Sequence, residues 1–354
     1  MLPIEAKRFA LTIKKGINMK AVGYFKSLPI NDSASLTDLE LPTPTLRPND
    51  LLVRISAISV NPVDTKVRVS RAPKNNQPEI LGWDAVGIVE AMGPVVSNFA
   101  VGDRVYYAGE INRPGANSEL HAVDERLVAK APISIDDGHA AALPLTSITA
   151  YELLFDRLGI VKGNGAGKTI LIIGGAGGVG SILIQLVRQL THLQIIATAS
   201  RQETRQWCLE LGAHAVIDHT RPIAEELSAI GIGEVDYVAA LTQTQQHFDQ
   251  IVESIKPQGK LAVIDDMDGL NLMKLKAKSI SLHWELMFTR SIFQTPDMAE
   301  QGVLLAEIAK LVDTGRLRST ASSNFGHINA ENLRRAHTLV ESGKAHGKVV
   351  LAGF

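Results

Sequence analysis

Residues 169–180 read TILIIGGAGGVG and run directly into SILIQLVRQL at 181–190. A short apolar run bounded by glycines predicts a buried strand, and the period of the segment after it predicts a helix. Between them, Gly175-Ala176-Gly177-Gly178-Val179-Gly180 is a G-x-G-x-x-G in the strand, turn and helix setting that lets this pattern mean a dinucleotide site. Gly175 permits the tight turn, Gly177 lets the backbone approach a pyrophosphate, and Gly180 lets helix and strand pack closely. The phosphates are expected on the positive N-terminus of the helix. The uncharged run 169–187 is also nearly long enough to span a bilayer. Five glycines within 174–180 argue against that, since each costs a helix about 1 kcal/mol relative to alanine.

Outward from this stretch, residues 144–285 alternate strand and helix patterns: TILIIGG, SILIQLVRQL, QIIATAS, TRQWCLELG, AVIDH, VDYVAAL, HFDQIVESI, KLAVIDD. That order predicts an α/β fold with a doubly wound parallel Rossmann sheet. Residues 19–143 carry short β-type runs between Pro, Gly, Asn and Asp, such as LLVRISAI and DRVYYAG, the pattern of a small barrel or sandwich. The tail, 286–354, holds two helical runs and a last strand, KVVLAGF; it is too small to fold alone and is expected to return to the first domain. Residues 1–18 read as an N-terminal extension, basic at Lys7, Arg8, Lys14 and Lys15 but without the apolar stretch of a secretory signal.

With 354 residues and a net charge of −1, the chain has length for two cores and no field that would gather nucleic acid or an anionic membrane. The single cysteine, Cys208, leaves no internal disulfide and fits a reducing compartment, so the expected location is cytoplasmic. The strand QIIATAS ends in Ala199-Ser200-Arg201, where an NAD site would place a carboxylate for the ribose 2′-hydroxyl. Ser200 and the Arg201 guanidinium suit a 2′-phosphate instead, which favours NADPH as cofactor. Arg205, one turn on, either assists or is an exposed helix arginine. Gly167-Lys168-Thr169 ends like a phosphate-binding P-loop, but Lys162 stands where its first glycine belongs.

The order of segments resembles the medium-chain dehydrogenase/reductase superfamily, and within it the quinone oxidoreductase branch, including a group often labelled zinc-type alcohol dehydrogenase-like. The resemblance covers about 19–354 and rests on SVNPVDTKVR at 59–68, LGWDAVGIVEAMGP at 81–94, VGDRVYYAG at 101–109, AALPLTSITAYELL at 141–154, GGAGGVGS at 174–181 and KAHGKVVL at 344–351. It implies a GroES-like first domain and a cleft between the domains. Zinc members of the superfamily carry a cysteine near the position of Asn61 and a Gly-His-Glu where this chain has Gly82-Trp83-Asp84; the four-cysteine lobe expected after VGDRV is replaced by YYAGEINRPGANSEL. A catalytic zinc needs about three converging Cys, His or carboxylate ligands. No such set is expected here, and His214 with His219 flank a short strand without a third ligand.

A site without that Lewis acid needs an acceptor already electrophilic, a quinone or an α,β-unsaturated carbonyl, to which hydride from the nicotinamide adds. By the resemblance Asn61 is the first candidate to donate to a developing oxyanion, with an Asn-Pro turn as the competing role. Asp64 either orients substrate or caps a helix. Thr146 resembles the family's threonine beside the nicotinamide, or bonds a helix backbone. Lys348 lies in a tail segment that the family folds toward the cofactor, or is a surface lysine. Trp83 and Tyr151 wall an aromatic pocket or pack in the core, and Phe288, Thr289, Phe293 and Gln294 are further wall candidates. SISLHWELMF resembles the edge strand through which relatives pair, so a homodimer is expected. A zinc-dependent alcohol dehydrogenase and a non-catalytic NADPH-binding protein are the alternatives.

Overall fold

The computed structural model describes residues 18–354, so the extension 1–18 lies, apart from Asn18, outside the described residues. The first region holds strands β1 (Asn18–Tyr24), β2 (Thr37–Pro42), β3 (Asp50–Val60), β4 (Glu79–Ile80), β5 (Ala85–Met92), β6 (Arg104–Tyr107), β7 (Leu120–Asp124) and β8 (Ala129–Lys130), with helices α1 (Pro62–Ser70) and α2 (Asp137–Ala141). Next come α3 (Pro144–Tyr151), β9 (Thr169–Ile173), α4 (Gly178–Leu190), β10 (Gln194–Thr198), α5 (Gln202–Glu210), β11 (Ala215–Ile217), α6 (Ile223–Ala229), β12 (Val235–Ala240), α7 (Thr244–Ser254), β13 (Ile255–Val263), α8 (Met273–Lys276) and β14 (Ser281–Trp284). The chain closes with α9 (Thr289–Phe293), α10 (Glu300–Asp313), β15 (Ala321–Asn324), α11 (Ala330–Glu341) and β16 (Lys348–Ala352).

The fold is α/β. One sheet runs β11-β10-β9-β12-β13-β14, every neighbouring pair parallel. β9, TILII, is buried along its whole length, as a strand covered by helices on both faces must be. The strand order reverses on either side of β9, and the crevice above that point is where this architecture takes a ligand. Gly180 shows why the glycines are needed: a Cβ there would lie 2.4 Å from the Gly174 carbonyl oxygen, so only glycine lets α4 pack on its own turn.

The second large sheet runs β15-β16-β3-β5-β6-β8, with β7 also on β3, and β1, β2 and β4 form a small third sheet. Register shifts near Leu52 and Ile55 bend β3, which pairs along its length with β5, β7 and β16. β16 pairs antiparallel with β3, Val349 opposite Val60, which brings the end of the chain beside Asn61. The loop after β6 is held by the Arg113 guanidinium, bonded twice to the buried Asp50 carboxylate at 2.9 and 2.6 Å, and by His121 between the Tyr107 hydroxyl and the Pro114 carbonyl. Burial pushes the His121 imidazole down to about 4. Among the described residues no helix is long and apolar enough to cross a membrane.

α3 runs into a wide π turn over Glu152–Arg157. Its Glu152 is buried beside Glu285, just past β14, and the pair is bracketed by arginines: Arg290 lies 2.6 Å from Glu152 and 3.0 Å from Asp156 and Asp297, and Arg157 lies 2.8 Å from Glu285. Burial raises both carboxyls above the usual range, and the neighbouring Glu152 raises Glu285 further. A carboxyl whose folded pKa is raised stabilises the fold fully below its unfolded pKa and loses that contribution as pH climbs through the folded value. The unfolding temperature should therefore fall as pH rises above the ordinary glutamate range, and Glu285→Gln should flatten that decline. Thermal melts across pH with an unchanged slope in the variant would show that the pair is not the cause.

Candidate functional site

Where β3 ends, the chain turns at Asn61-Pro62 into α1, and proline at the first helical position fixes that entry without losing a needed donor. Asp64 accepts from the Asn61 backbone N–H at 2.6 Å and from the Gly82 N–H at 3.0 Å. It thus ties the start of the helix to the segment before β5, and it is buried. Burial pushes its carboxyl up to about 7, against the pull of those N–H groups and of Lys348.

Asp84, fully buried, is the second carboxylate. Its Oδ1 accepts from the Leu145 N–H at 2.7 Å; its Oδ2 accepts from the Asn61 side-chain amide at 2.8 Å and lies 3.0 Å from the Lys348 ammonium. Burial raises this carboxyl, while Lys348, the Leu145 N–H and Asn61 oppose the shift. Lys348 is buried rather than on the surface, and its Nζ also donates to the Asn61 side-chain oxygen at 2.5 Å and to the Val60 carbonyl at 3.2 Å. The Asn61 amide is therefore engaged at both ends: its nitrogen faces Asp84 and lies 3.4 Å from the Ser59 and Trp83 carbonyls. It is not a free donor waiting for an oxyanion, because the buried charges beside it take its hydrogen bonds.

This cluster abuts the glycine-rich turn. A Cβ on Gly178 would meet the Lys348 side chain at 2.9 Å and the Thr146 methyl at 3.1 Å. Lys348 thus touches the dinucleotide turn with its carbon chain and not with its ammonium. Thr146 bonds its hydroxyl to the Leu143 carbonyl at 3.1 Å, within its own helix. Gly175 is tightly enclosed, whereas a Cβ on Gly177 would meet only the Gly174 carbonyl at 3.4 Å, so the missing side chain there leaves open space in front of the N-terminus of α4. The Gly347 N–H donates to the Ala176 carbonyl at 2.9 Å, and Val179 packs partly buried behind the turn.

Ser200 and Arg201 are exposed at the C-terminal end of β10, and Arg201 donates to the Lys344 carbonyl at 3.1 Å. Arg205 is not available to a ligand; it donates to the Ala199 and Val216 carbonyls. Trp83 is buried with its ring edge-on to Phe288 at 6.2 Å and its indole N–H on the Glu110 carbonyl, so both rings pack in the core rather than line an open pocket. Tyr151 belongs elsewhere: its hydroxyl donates to Glu307 at 2.9 Å on α10, under the Lys162 ammonium. Phe293 is 73% exposed, and Gln294 accepts from Arg126. Asp84 is the residue that sequence reasoning passes over; its signal is a lone charge inside the otherwise apolar run LGWDAVGIV.

The residues do not fit a catalytic zinc. Trp83 and Asn61 supply no metal-binding nitrogen or sulfur, the Asp84 carboxylate is paired with an ammonium, and no group of three or more His, Cys, Asp or Glu among the described residues converges on one point. His214 is held by the Ile195 N–H and Arg188, and His219 stands edge-on to His247. Cys208 is buried behind Gly175, and burial pushes its thiol up to about 12.

Residues 47–133 match the alcohol dehydrogenase GroES-like domain family, and residues 211–351 match the zinc-binding dehydrogenase family. A zinc-type alcohol dehydrogenase-like protein of Staphylococcus aureus (strain Mu50) is 41% identical over 339 residues, covering 94% of this chain and 99% of that protein. A chloroplastic NADPH-dependent alkenal/one oxidoreductase of Arabidopsis thaliana is 32% identical over 230 residues, covering 62% of this chain and 56% of that protein. A crystal structure from Rhizobium etli CFN 42, of a protein provisionally named a zinc-dependent alcohol dehydrogenase, is 54% identical and superposes with a TM-score of 0.92, covering 96% of this chain and 99% of that one.

Replacing Asp84 by alanine leaves the Lys348 ammonium buried without its counter-charge, a loss of about 3–5 kcal/mol for an ion pair broken from one side. Chemical denaturation of Asp84→Ala should show a drop of that order; a drop below about 1 kcal/mol, the scale of an exposed pair, would contradict it.

Proposed function

Because the chain belongs to the medium-chain dehydrogenase/reductase superfamily, among zinc-type alcohol dehydrogenase-like proteins and quinone and enone oxidoreductases, we propose that it is an NADPH-dependent, zinc-independent reductase of quinones or α,β-unsaturated carbonyls. The observation that carries this reading is the site itself: an open glycine turn for a dinucleotide stands directly against a buried cluster that lacks the donors of a zinc centre. Bound NADPH supplies the hydride, and a conjugated acceptor spreads the resulting charge over its own oxygen-bearing framework without a metal.

The protein's part is to bind, orient and exclude water. Gly177 leaves room for the pyrophosphate at the N-terminus of α4, Gly180 keeps that helix close, and the Arg201 guanidinium with the Ser200 hydroxyl favours a 2′-phosphate where no carboxylate opposes it. The last proton comes from solvent or a nearby polar group. The alkenal/one oxidoreductase relative supports both the cofactor and the acceptor class. β14 ends its sheet, and Trp284 and Leu286 are more than half exposed beside it, so the reading includes a homodimer joined at that edge. We place the enzyme in the cytoplasm, where its one thiol stays reduced.

The test is oxidation of NADPH and NADH by chelator-treated protein against a panel of quinones and enones, with Arg201→Ala alongside. Turnover that survives chelation and prefers NADPH is expected, with the variant losing about tenfold or more of that preference, as befits one charge-assisted pair. Loss of activity on chelation would return the zinc reading, and tight NADPH binding without turnover on any acceptor would make the protein a non-catalytic binder.

A further inference from the structure

The Lys348 ammonium has three N–H groups and three oxygen partners, from Val60, Asn61 and Asp84, at 2.5–3.2 Å, with the residue 3% exposed. Those partners belong to different parts of the fold: the end of β3, the entry to α1 and the start of β5. Lys348 itself opens β16, and through Asp84 Oδ1 the same charge holds the Leu145 N–H at the first turn of α3, next to Thr146. Its carbon chain lies against Gly178 of the dinucleotide turn. A zinc ion at this point would demand ligands at about 2.0–2.3 Å, with nitrogen or sulfur among them. A carbonyl, an amide and a carboxylate oxygen at hydrogen-bond distance instead form a cage suited to an ammonium.

We propose that the Lys348 ammonium is the resident cation of this buried cluster, held where relatives named for zinc lead one to look for a metal. Lys348 is then a positioning residue: it fixes Asn61, Asp84 and, through Leu145, the Thr146 end of α3 against the dinucleotide turn. The identity of the cation stands apart from the reaction; the positioning role rests on the proposed reduction, so the two are read by separate measurements.

Wild type, Lys348→Met, Lys348→Ala and the double variant Lys348→Met with Asp84→Asn are compared. After dialysis against zinc and then metal-free buffer, elemental analysis of wild type should find no stoichiometric zinc. Lys348→Met should unfold about 10 °C lower, the scale of one uncompensated buried charge. Propylammonium, which restores the missing chain and charge, should raise the unfolding temperature of Lys348→Ala saturably, and 1-propanol at equal concentration should not. If Lys348→Ala folds only with an additive present, recovery of folded protein with the amine against the alcohol is the same comparison. The double variant, with neither charge, should regain stability but keep a kcat about a hundredfold below wild type, as a misplaced site does. Equal rescue by propanol, an unshifted Lys348→Met, or tightly held zinc in wild type overturns the resident cation. A double variant with wild-type kcat overturns the positioning role. The unfolding and zinc arms remain decisive even if wild type turns over none of the acceptors.

Discussion

The buried pair of Lys348 and Asp84 is the constraint on which the site depends. A charge taken out of water is tolerated only when paired and hydrogen-bonded, so each member dictates where its neighbours sit. To satisfy the ammonium, β16 must return to β3 in a register that sets Val349 opposite Val60. To satisfy the carboxylate, α3 must begin with its Leu145 N–H pointing at Asp84. The sheet of the first region, the last strand and the first helix of the parallel domain are thereby locked at one point, and that point lies against the glycine turn.

The second constraint is steric. Gly180 lets α4 collapse onto the Gly174 carbonyl, and Gly177, next in the chain to the Gly178 that meets Lys348, keeps a gap open in the same turn. One turn therefore closes on its helix side and opens on its cleft side. The tail meets this turn through Gly347 on Ala176, and Arg201 reaches the tail at Lys344, so the last segment of the chain is tied to the glycine turn and to the end of β10.

What can be read in the sequence is what local chemistry decides. The run 174–180 announces strand, turn and helix because each glycine answers a nearby backbone demand, and Ala199-Ser200-Arg201 falls at the end of the next strand because the β/α alternation is regular. The roles of Asn61 and Lys348 are not local. An Asn-Pro turn and a lysine at the head of a final strand look ordinary until folding sets them 2.5 Å apart, and Asp84, their common partner, is only a charge in an apolar run. Arg205 and Tyr151 show the other direction: a ligand contact for the one and a pocket wall for the other are each one of two readings, yet carbonyls and Glu307 claim their polar atoms once helices pack. The π turn at Glu152 has no signal of its own: the partners of its charged ends, Glu285 for Arg157 and Arg290 for Glu152, lie more than a hundred residues away in the chain.

The loop after β6 carries a further consequence. Its anchor is the pairing of Arg113 with Asp50, backed by a neutral His121, all supplied by the chain itself. Nothing has to be loaded for that loop to take its shape, and no thiol in it is open to oxidation. Maturation of this part of the protein is therefore uncoupled from metal supply and from redox stress, two conditions that govern the folding of any lobe built on clustered cysteines.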